Sequence, residues 1–363
     1  MPKKIPSLHI DLERTWRGGQ RQVLFLVREL RAVGHQAFLV SRPGTPIAER
    51  FEELRMPVST MRVFGELDLL AARRIAKIAR EQGIRILHAH SSHAHTLALL
   101  AARDVPGGRV VVHRRVDFKP GEDALNRWKY RAVDGYVAIS KAVRDVLIQS
   151  GIDAGKILVV HSAVEYRPPA DDARERVRAE LGLESTDKLL LNVGALVDHK
   201  GHQFLIEAMP TVLARFADLT CAVAGDGELR KELEQQINGL GLGDRVKLLG
   251  FRDDVPDLLA AADLYVSTSH LEGLNTSLLD ASLAGLPVVA TRAGGQVEAV
   301  SDGSSGLLAQ NRDPADIADK IVTILSDEKL AARLAGGGRE FAAEFSPQSM
   351  ARQVAQFYWS LVD

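Results

Sequence analysis

At 363 residues, with 46% hydrophobic, 5% aromatic and 26% charged residues, the chain has the make-up of an ordinary α/β globular protein and exceeds one usual core, so two domains are expected. No apolar run approaches the roughly 20 residues of a spanning helix, no signal-peptide core is present, and the single cysteine, Cys221, cannot close an internal disulfide, so a soluble, cytosolic chain without a disulfide scaffold is expected. The net charge of −1 conceals an asymmetry: residues 1–168 carry 28 Lys and Arg against 17 Asp and Glu, net +11, and residues 169–363 carry 18 against 30, net −12.

In chain order, the apolar run 8–10 leads through Asp11 and the polar stretch 13–17 into Gly18-Gly19. Val23, Leu26, Val27, Leu30 and Val33 then recur at helical spacing, Gly34 stops the helix, and 37–40 read as the next strand. Paired glycines let a backbone approach phosphate closely, although a plain loop-to-helix turn needs no ligand. Helices at about 67–82 and 96–103 flank a strand at 84–88; a strand at 110–112, a helix through Trp128 and strands at 136–139 and 157–160 follow. This alternation predicts a right-handed, mostly parallel sheet. At Arg167-Pro168-Pro169-Ala170 two prolines remove backbone donors and break the pattern, which predicts domains 1–168 and 169–345 followed by a helix in 346–363.

The second half repeats the alternation. Strands at 189–193, 219–224, 246–249, 264–266 and 287–290 interleave with helices at about 203–215, 228–237, 255–261 and from about Thr276. Cys221 falls in the second of these strands and reads as a buried, inert thiol. Helical stretches at 314–326, 329–335 and 350–361 close the chain, and no period of about 20 to 50 residues suggests a solenoid.

Residues 267–291 organise the rest: strand, polar loop, helix, strand, with Glu272 in the loop and Asp280 one turn into the helix. The amides of Asn275, Thr276 and Ser277 lie in the first turn, where they have no partner within the helix and sit at the positive end of its dipole. Such a place attracts phosphate, and a carboxylate on each side can accept ligand hydroxyls.

This stretch resembles the acidic motif of the retaining family 4 (group 1) nucleotide-sugar glycosyltransferases: an acid, seven residues, a second acid, then Ala-x-x-x-Gly-x-Pro-Val-Val. Glu272 matches the first acid, Asp280 the second with one methylene fewer than the family's Glu, and Ala281, Gly285, Pro287, Val288 and Val289 are in register. The segment from Asn192 to Gly201 resembles the family's Gly-Arg-Leu, three residues, Lys-Gly. Lys200 matches the Lys, but Ala195 stands where the family has Arg, so either another cation serves, with Arg17 and Arg21 near the glycine loop as candidates, or donor use is impaired.

The resemblance implies the GT-B fold, α/β with two doubly wound Rossmann-like domains facing a cleft, and a last helix returning to the N-terminal domain with Phe357, Tyr358 and Trp359. It implies retaining, metal-independent transfer of a sugar from a nucleoside diphosphate to an acceptor hydroxyl, with no cofactor and no protein nucleophile. The donor-binding set carried over is Gly18, Gly19, Gly194, Lys200, Gly225, Glu272, Leu274, Asn275, Thr276, Ser277 and Asp280; the catalytic set is Glu272, Lys200 and His113. Asp280 takes the ribose hydroxyls, Glu272 the sugar, and Lys200 with the helix-start amides the diphosphate. The family's donor-contacting histidine has a Thr-x-His context missing here, so Arg115 stays open beside His113. The loops Gly225-Asp226-Gly227 and 251–255 lie at strand ends where ligands bind, the latter near the base.

His88, His90, His93 and His95 crowd one place, with no carboxylate or cysteine at a metal-site spacing, and read as a polar loop at the cleft edge rather than a metal centre. Arg127-Trp128-Lys129-Tyr130-Arg131 interleaves cations with aromatics, which suits a lipid interface. With the basic N-terminal half this predicts an anionic or lipid-linked acceptor, in lipopolysaccharide or other cell-surface glycan assembly, and leaves the inner face of the cytoplasmic membrane open as a working surface. No nucleic-acid module accompanies the basic half. Rival readings are a nucleotide-sugar epimerase or phosphorylase on the same fold, and a non-catalytic nucleotide-sugar binder, the last motivated by Ala195.

Overall fold

The computed structural model describes residues 4–116, 119, 121 and 123–362. Two compact units are present, one made of residues up to Ala163 together with those from Phe345 onward, the other of Val164–Glu344. The first holds β1 (Ser7–Ile10), β2 (Ala37–Ser41), β3 (Val58–Thr60), β4 (Ile86–Ala89), β5 (Arg109–Arg114), β6 (Gly135–Ala138) and β7 (Ile157–Val159), a parallel sheet in the order β3-β2-β1-β4-β5-β6-β7. The second holds β8 (Lys188–Val193), β9 (Leu219–Ala224), β10 (Val246–Gly250), β11 (Leu264–Ser267), β12 (Val288–Thr291) and β13 (Leu307–Ala309), parallel in the order β10-β9-β8-β11-β12-β13.

Both sheets are doubly wound, so the predicted α/β class holds for each. Every residue of β1, β4, β6, β9, β11 and β12 is buried, as expected of parallel strands covered by helices on both faces. The edge strand β3 is absent from the apolar runs of the sequence because two of its three residues, Ser59 and Thr60, are exposed and its place is set by pairing with β2. The helix at 96–103 starts earlier, as Ser92–Ala102, because Ser91 Oγ accepts the amide of Ala94 as an N-cap. The last helix, Pro347–Val362, sets Met350, Ala351, Val354 and Tyr358 into the first unit's core with Val23, Leu26 and Leu30. Cys221 is buried, and burial pushes its thiol up to about 12.

The strand order reverses between β1 and β4 in one sheet and between β8 and β11 in the other. Beyond the carboxyl ends of such strands an open α/β sheet leaves a crevice that no crossover helix fills.

Candidate functional site

At the second sheet's reversal the chain leaves β8 at Val193 and β11 at Ser267. Gly194 donates its amide to Ala224 O, and the following turn locks onto the loop after β9 through Leu196 N to Asp226 O at 3.1 Å. Gly225, at φ +155°, must be glycine: a Cβ there would lie 1.9 Å from Gly194 O. Gly201 likewise sits at φ +64° against Thr268 O, which fixes the residue before it, Lys200, beside the end of β11. The Lys200 side chain runs past Gly194 and its Nζ meets Glu272 Oε2 at 2.5 Å. Both partners are half-buried, and Ser269 Oγ donates to the same carboxylate oxygen at 3.3 Å.

The helix Thr276–Leu283 begins directly after Asn275, whose carboxamide oxygen accepts the amide of Leu278 at 3.2 Å. That cap uses one of the four amides the first turn leaves without helical partners. Beneath the two acids lies Tyr265 of β11, fully buried, its hydroxyl donating to Val193 O at 3.3 Å. Burial first, then the charges of Asp280 and Glu272, push its phenol pKa up. Asp280 is half-buried and, with Tyr166, Val255 and Leu259, lines a cavity of about 50 Å³.

Sequence reasoning missed what holds this loop. Gln296, wholly buried, accepts from Ser267 Oγ (2.5 Å) and Asn275 Nδ2 (3.2 Å) and donates to Thr291 Oγ1 (2.8 Å) and Ser269 O (3.0 Å). Gly295 N donates to Glu272 O at 2.7 Å. The available signal was the glycine-rich Arg-Ala-Gly-Gly-Gln run following β12, where an apolar helix face would otherwise begin.

At the first sheet's reversal, β1 and β4 pair with His9 opposite His88. His9, His88, His90 and His113 are buried together; the His88 and His90 rings stack at 4.2 Å between centroids, and His88 and His113 at 5.4 Å. His9 Nδ1 and His90 Nε2 share a hydrogen bond of 3.0 Å, and His88 Nδ1 one of 2.5 Å with Tyr358 OH. Burial holds His9 down to about 3 and keeps the other three well below their ordinary value, with Arg115 adding to the effect. Arg115 Nη2 lies 3.1 Å from His90 Nδ1, and its Cδ would be 3.7 Å from a Cβ at Gly19. Gly18 and Gly19 start the helix Gly18–Ala32, Arg17 is exposed before it, and Arg21 is half-buried in its first turn.

Two sequence expectations are corrected here. The histidines after residue 87 do not form a polar loop: His88 is on β4, His90 is buried just past it, and His95 is buried within Ser92–Ala102 with Nε2 on Lys129 O at 3.0 Å, so only His93 is exposed. Imidazoles held neutral by burial pack as core residues. One ligand atom from each of His9, His88 and His90 falls within 4.8 Å of the others, but the Arg115 guanidinium against His90 opposes a cation. The segment 127–131 does not present its cations uniformly: Arg127 and Arg131 are exposed, while Lys129 is buried with Nζ on Glu66 Oε2 (3.0 Å) and Ser92 O (2.9 Å). Tyr130 is turned onto Tyr136 and accepts from Arg114 at 3.0 Å.

The two units also match known proteins. The model of the family Glycosyl transferases group 1 matches residues 173–341, and that of Glycosyltransferase Family 4 matches 16–167. N-acetyl-alpha-D-glucosaminyl L-malate synthase of Bacillus anthracis is 24% identical over 321 residues, 86% of this chain and 84% of that protein. The lipopolysaccharide core biosynthesis glycosyltransferase LpsE of Rhizobium meliloti is 34% identical over 174 residues, 48% of this chain and 50% of that one. Anabaena Alr3699/HepE, solved in complex with UDP, superposes with a TM-score of 0.84 at 25% identity over 98% of this chain and 100% of that one, and has also been solved with UDP-glucose.

Proposed function

We propose that this chain, which belongs to the group 1, family 4 glycosyltransferases and has their GT-B fold, moves a sugar from a nucleoside diphosphate to an acceptor hydroxyl with retention of configuration and without a metal ion. The observation that carries the reading is the Lys200–Glu272 pair at the reversal of the second sheet, beside the start of Thr276–Leu283. UDP and UDP-glucose bound by HepE support a nucleotide-sugar donor.

In this reading Lys200 turns from Glu272 to the donor diphosphate and offsets the charge that grows on the leaving phosphate. Glu272, freed of its partner, accepts hydroxyls of the transferred sugar. The amides of Thr276 and Ser277 face the diphosphate at the positive end of the helix. Asp280 accepts the ribose hydroxyls, and the base lies toward Val255 in the cavity that Asp280 also lines. Gly194, Gly225 and Leu274 shape the backbone around the donor; Gly18, Gly19 and His113 remain the first unit's candidates. The leaving phosphate takes the acceptor's proton, so no side-chain nucleophile is needed. The likeness to LpsE and the net +11 of residues 1–168 support an anionic, lipid-linked acceptor in lipopolysaccharide or other cell-surface glycan assembly, met at the inner membrane face.

Calorimetry with the bare nucleoside diphosphate, paired with a transfer assay, tests the division of roles. Asp280→Ala should weaken diphosphate binding by about 1.5 to 3 kcal/mol. Glu272→Ala should keep that affinity and lose turnover. Equal loss of affinity in both would refute the assignment, an inverted anomeric signal in the product's NMR spectrum would refute retention, and abolition of transfer by a chelator would refute metal independence. Donor recovered intact after long incubation with acceptor, despite measurable binding, would favour the non-catalytic reading raised by Ala195.

A further inference from the structure

The first unit exposes large apolar side chains in one short stretch. Phe64 is 89% exposed, Leu67 59%, Leu69 58% and Leu70 66%, four within seven consecutive residues. Single exposed apolar residues are ordinary; a concentration of this kind marks an interaction surface. The loop that carries them is fixed. Asp68 Oδ2 accepts the amide of Phe64 (3.1 Å) and Oδ1 that of Ala71 (3.0 Å), capping the helix Leu69–Glu81. Glu66 Oε2 accepts from Thr96 Oγ1 and from buried Lys129 Nζ, each at 3.0 Å. Both acids of the loop are therefore engaged with its own backbone or with the unit's interior, and the apolar side chains are left outside.

Cations frame the patch. Arg62 precedes it, and Arg73, Arg74 and Lys77 follow along the exposed side of Leu69–Glu81, whose other side buries Ala71, Ala72, Ile75, Ala76 and Ala79. Arg62, Arg74 and Lys77 also line a groove of about 580 Å³ beside the edge strand β3, with Ser59 and Thr60 on its other wall. Among the described residues, the one acid on that groove is Glu81, which lies 3.7 Å from Lys77.

We propose that the surface from Arg62 to Lys77 docks on an anionic phospholipid membrane, with Phe64, Leu67, Leu69 and Leu70 in the acyl boundary and the four cations on headgroup phosphates. Charge complementarity selects this occupant: residues 1–168 carry net +11, and the patch pairs its apolar residues with basic ones as interfacial segments do. Arginine and lysine stems extend along apolar surface while their charged ends stay at the headgroups. The proposal deepens the membrane-side acceptor reading and rests the contact on residues 62–77 rather than on 127–131, whose Lys129 braces the loop from within.

The test is sedimentation of the full chain with vesicles of phosphatidylcholine alone or mixed with phosphatidylglycerol, at low and high salt. Phe64→Ser with Leu70→Ser, and Arg73→Glu with Arg74→Glu, are the two variants; Arg127→Glu with Arg131→Glu is the control. The wild type should partition onto anionic vesicles only and release in high salt. At about fivefold per cation, Arg73→Glu with Arg74→Glu should lose at least tenfold in partitioning, and Phe64→Ser with Leu70→Ser should lose at least tenfold through the apolar area it no longer buries, while the control stays within about twofold. Melting temperature and UDP affinity are measured on each, so a failure of the donor reading, seen as absent UDP binding, is separate from a failure of this one. Wild type that ignores anionic vesicles, or patch variants that bind as it does, overturns the proposal. So does a dimer in sedimentation velocity that Phe64→Ser with Leu70→Ser dissolves while vesicle binding is unaffected, since a second copy then covers the patch.

Discussion

At the reversal of the second sheet the converging side chains are charged and half-buried, Lys200 against Glu272, whereas at the matching reversal of the first sheet they are buried imidazoles, His9, His88, His90 and His113, with Arg115 beside them. The topology is the same, so the difference lies in what each crevice does with charge. In the second unit a cation and a carboxylate neutralise each other within reach of solvent, and each can be handed to a ligand group of the opposite kind at small desolvation cost. In the first unit burial removes the charge before any ligand arrives. Imidazoles kept neutral serve as packing with hydrogen-bonding edges, and they bind the last helix through Tyr358. A crevice at a reversal is thus a place the fold offers, and local dielectric decides which chemistry occupies it.

Acid should expose the contrast most strongly. His9 and His95 in the first unit are held to about 3, and His88, His90 and His113 are also lowered, while the second unit has His202 at about 4. Because each folded pKa lies below the unfolded 6.5, only the unfolded chain takes the proton between those values. Stability is therefore intact above pH 6.5 and withdrawn as pH falls from there, by up to about 1.4 kcal/mol per pH unit for each histidine. Hydrogen exchange between pH 7 and 5 should show the first unit opening well before the second. Equal slopes for the two units would break the comparison.

Next in size is a backbone lock of the second unit. Gly225→Ala sets a methyl against Gly194 O and forces φ +155° on a side chain, so urea unfolding should report a loss of more than about 3 kcal/mol. Lys200→Ala should do the reverse: transfer falls by about 30-fold to 1000-fold, equivalent to about 2 to 4 kcal/mol, with little change in the urea midpoint. If Lys200→Ala instead destabilised the chain as much as it slowed transfer, the ion pair would be structural and the contrast with the histidines would fail. The smallest effect is at the helix cap. Asn275→Ala should cost about 1 kcal/mol of stability through the Leu278 amide, and more only if the Gln296 network collapses with it.

The alternation of strands and helices was legible because buried parallel strands are written as short apolar runs and helices as a 3.6-residue period. The edge strand β3 was not, since an exposed strand has no apolar signature. The acids and the lysine were legible through spacing to nearby turns. Their meeting was not, as 72 residues separate Lys200 from Glu272 and only the β8 to β11 pairing brings them together. The histidines misled for the same reason: 88, 90, 93 and 95 are neighbours in sequence, yet the stack is made with His9 and His113, and His95 belongs to a helix. Lys129 looked like a surface cation by its aromatic neighbours, and Glu66, 63 positions away, decides that it is an interior one.

By itself, then, the sequence determined the two series of strands and helices, the glycine turns and the interval between Glu272 and Asp280, because these rest on local periodicity and backbone sterics that act within a few residues. Tertiary structure alone decided which imidazoles are neutral, which lysine is inside and which apolar residues stay outside at Phe64 to Leu70. Charge state and exposure are set by the dielectric and the partners around a side chain, and those are supplied by chain segments tens or hundreds of residues away.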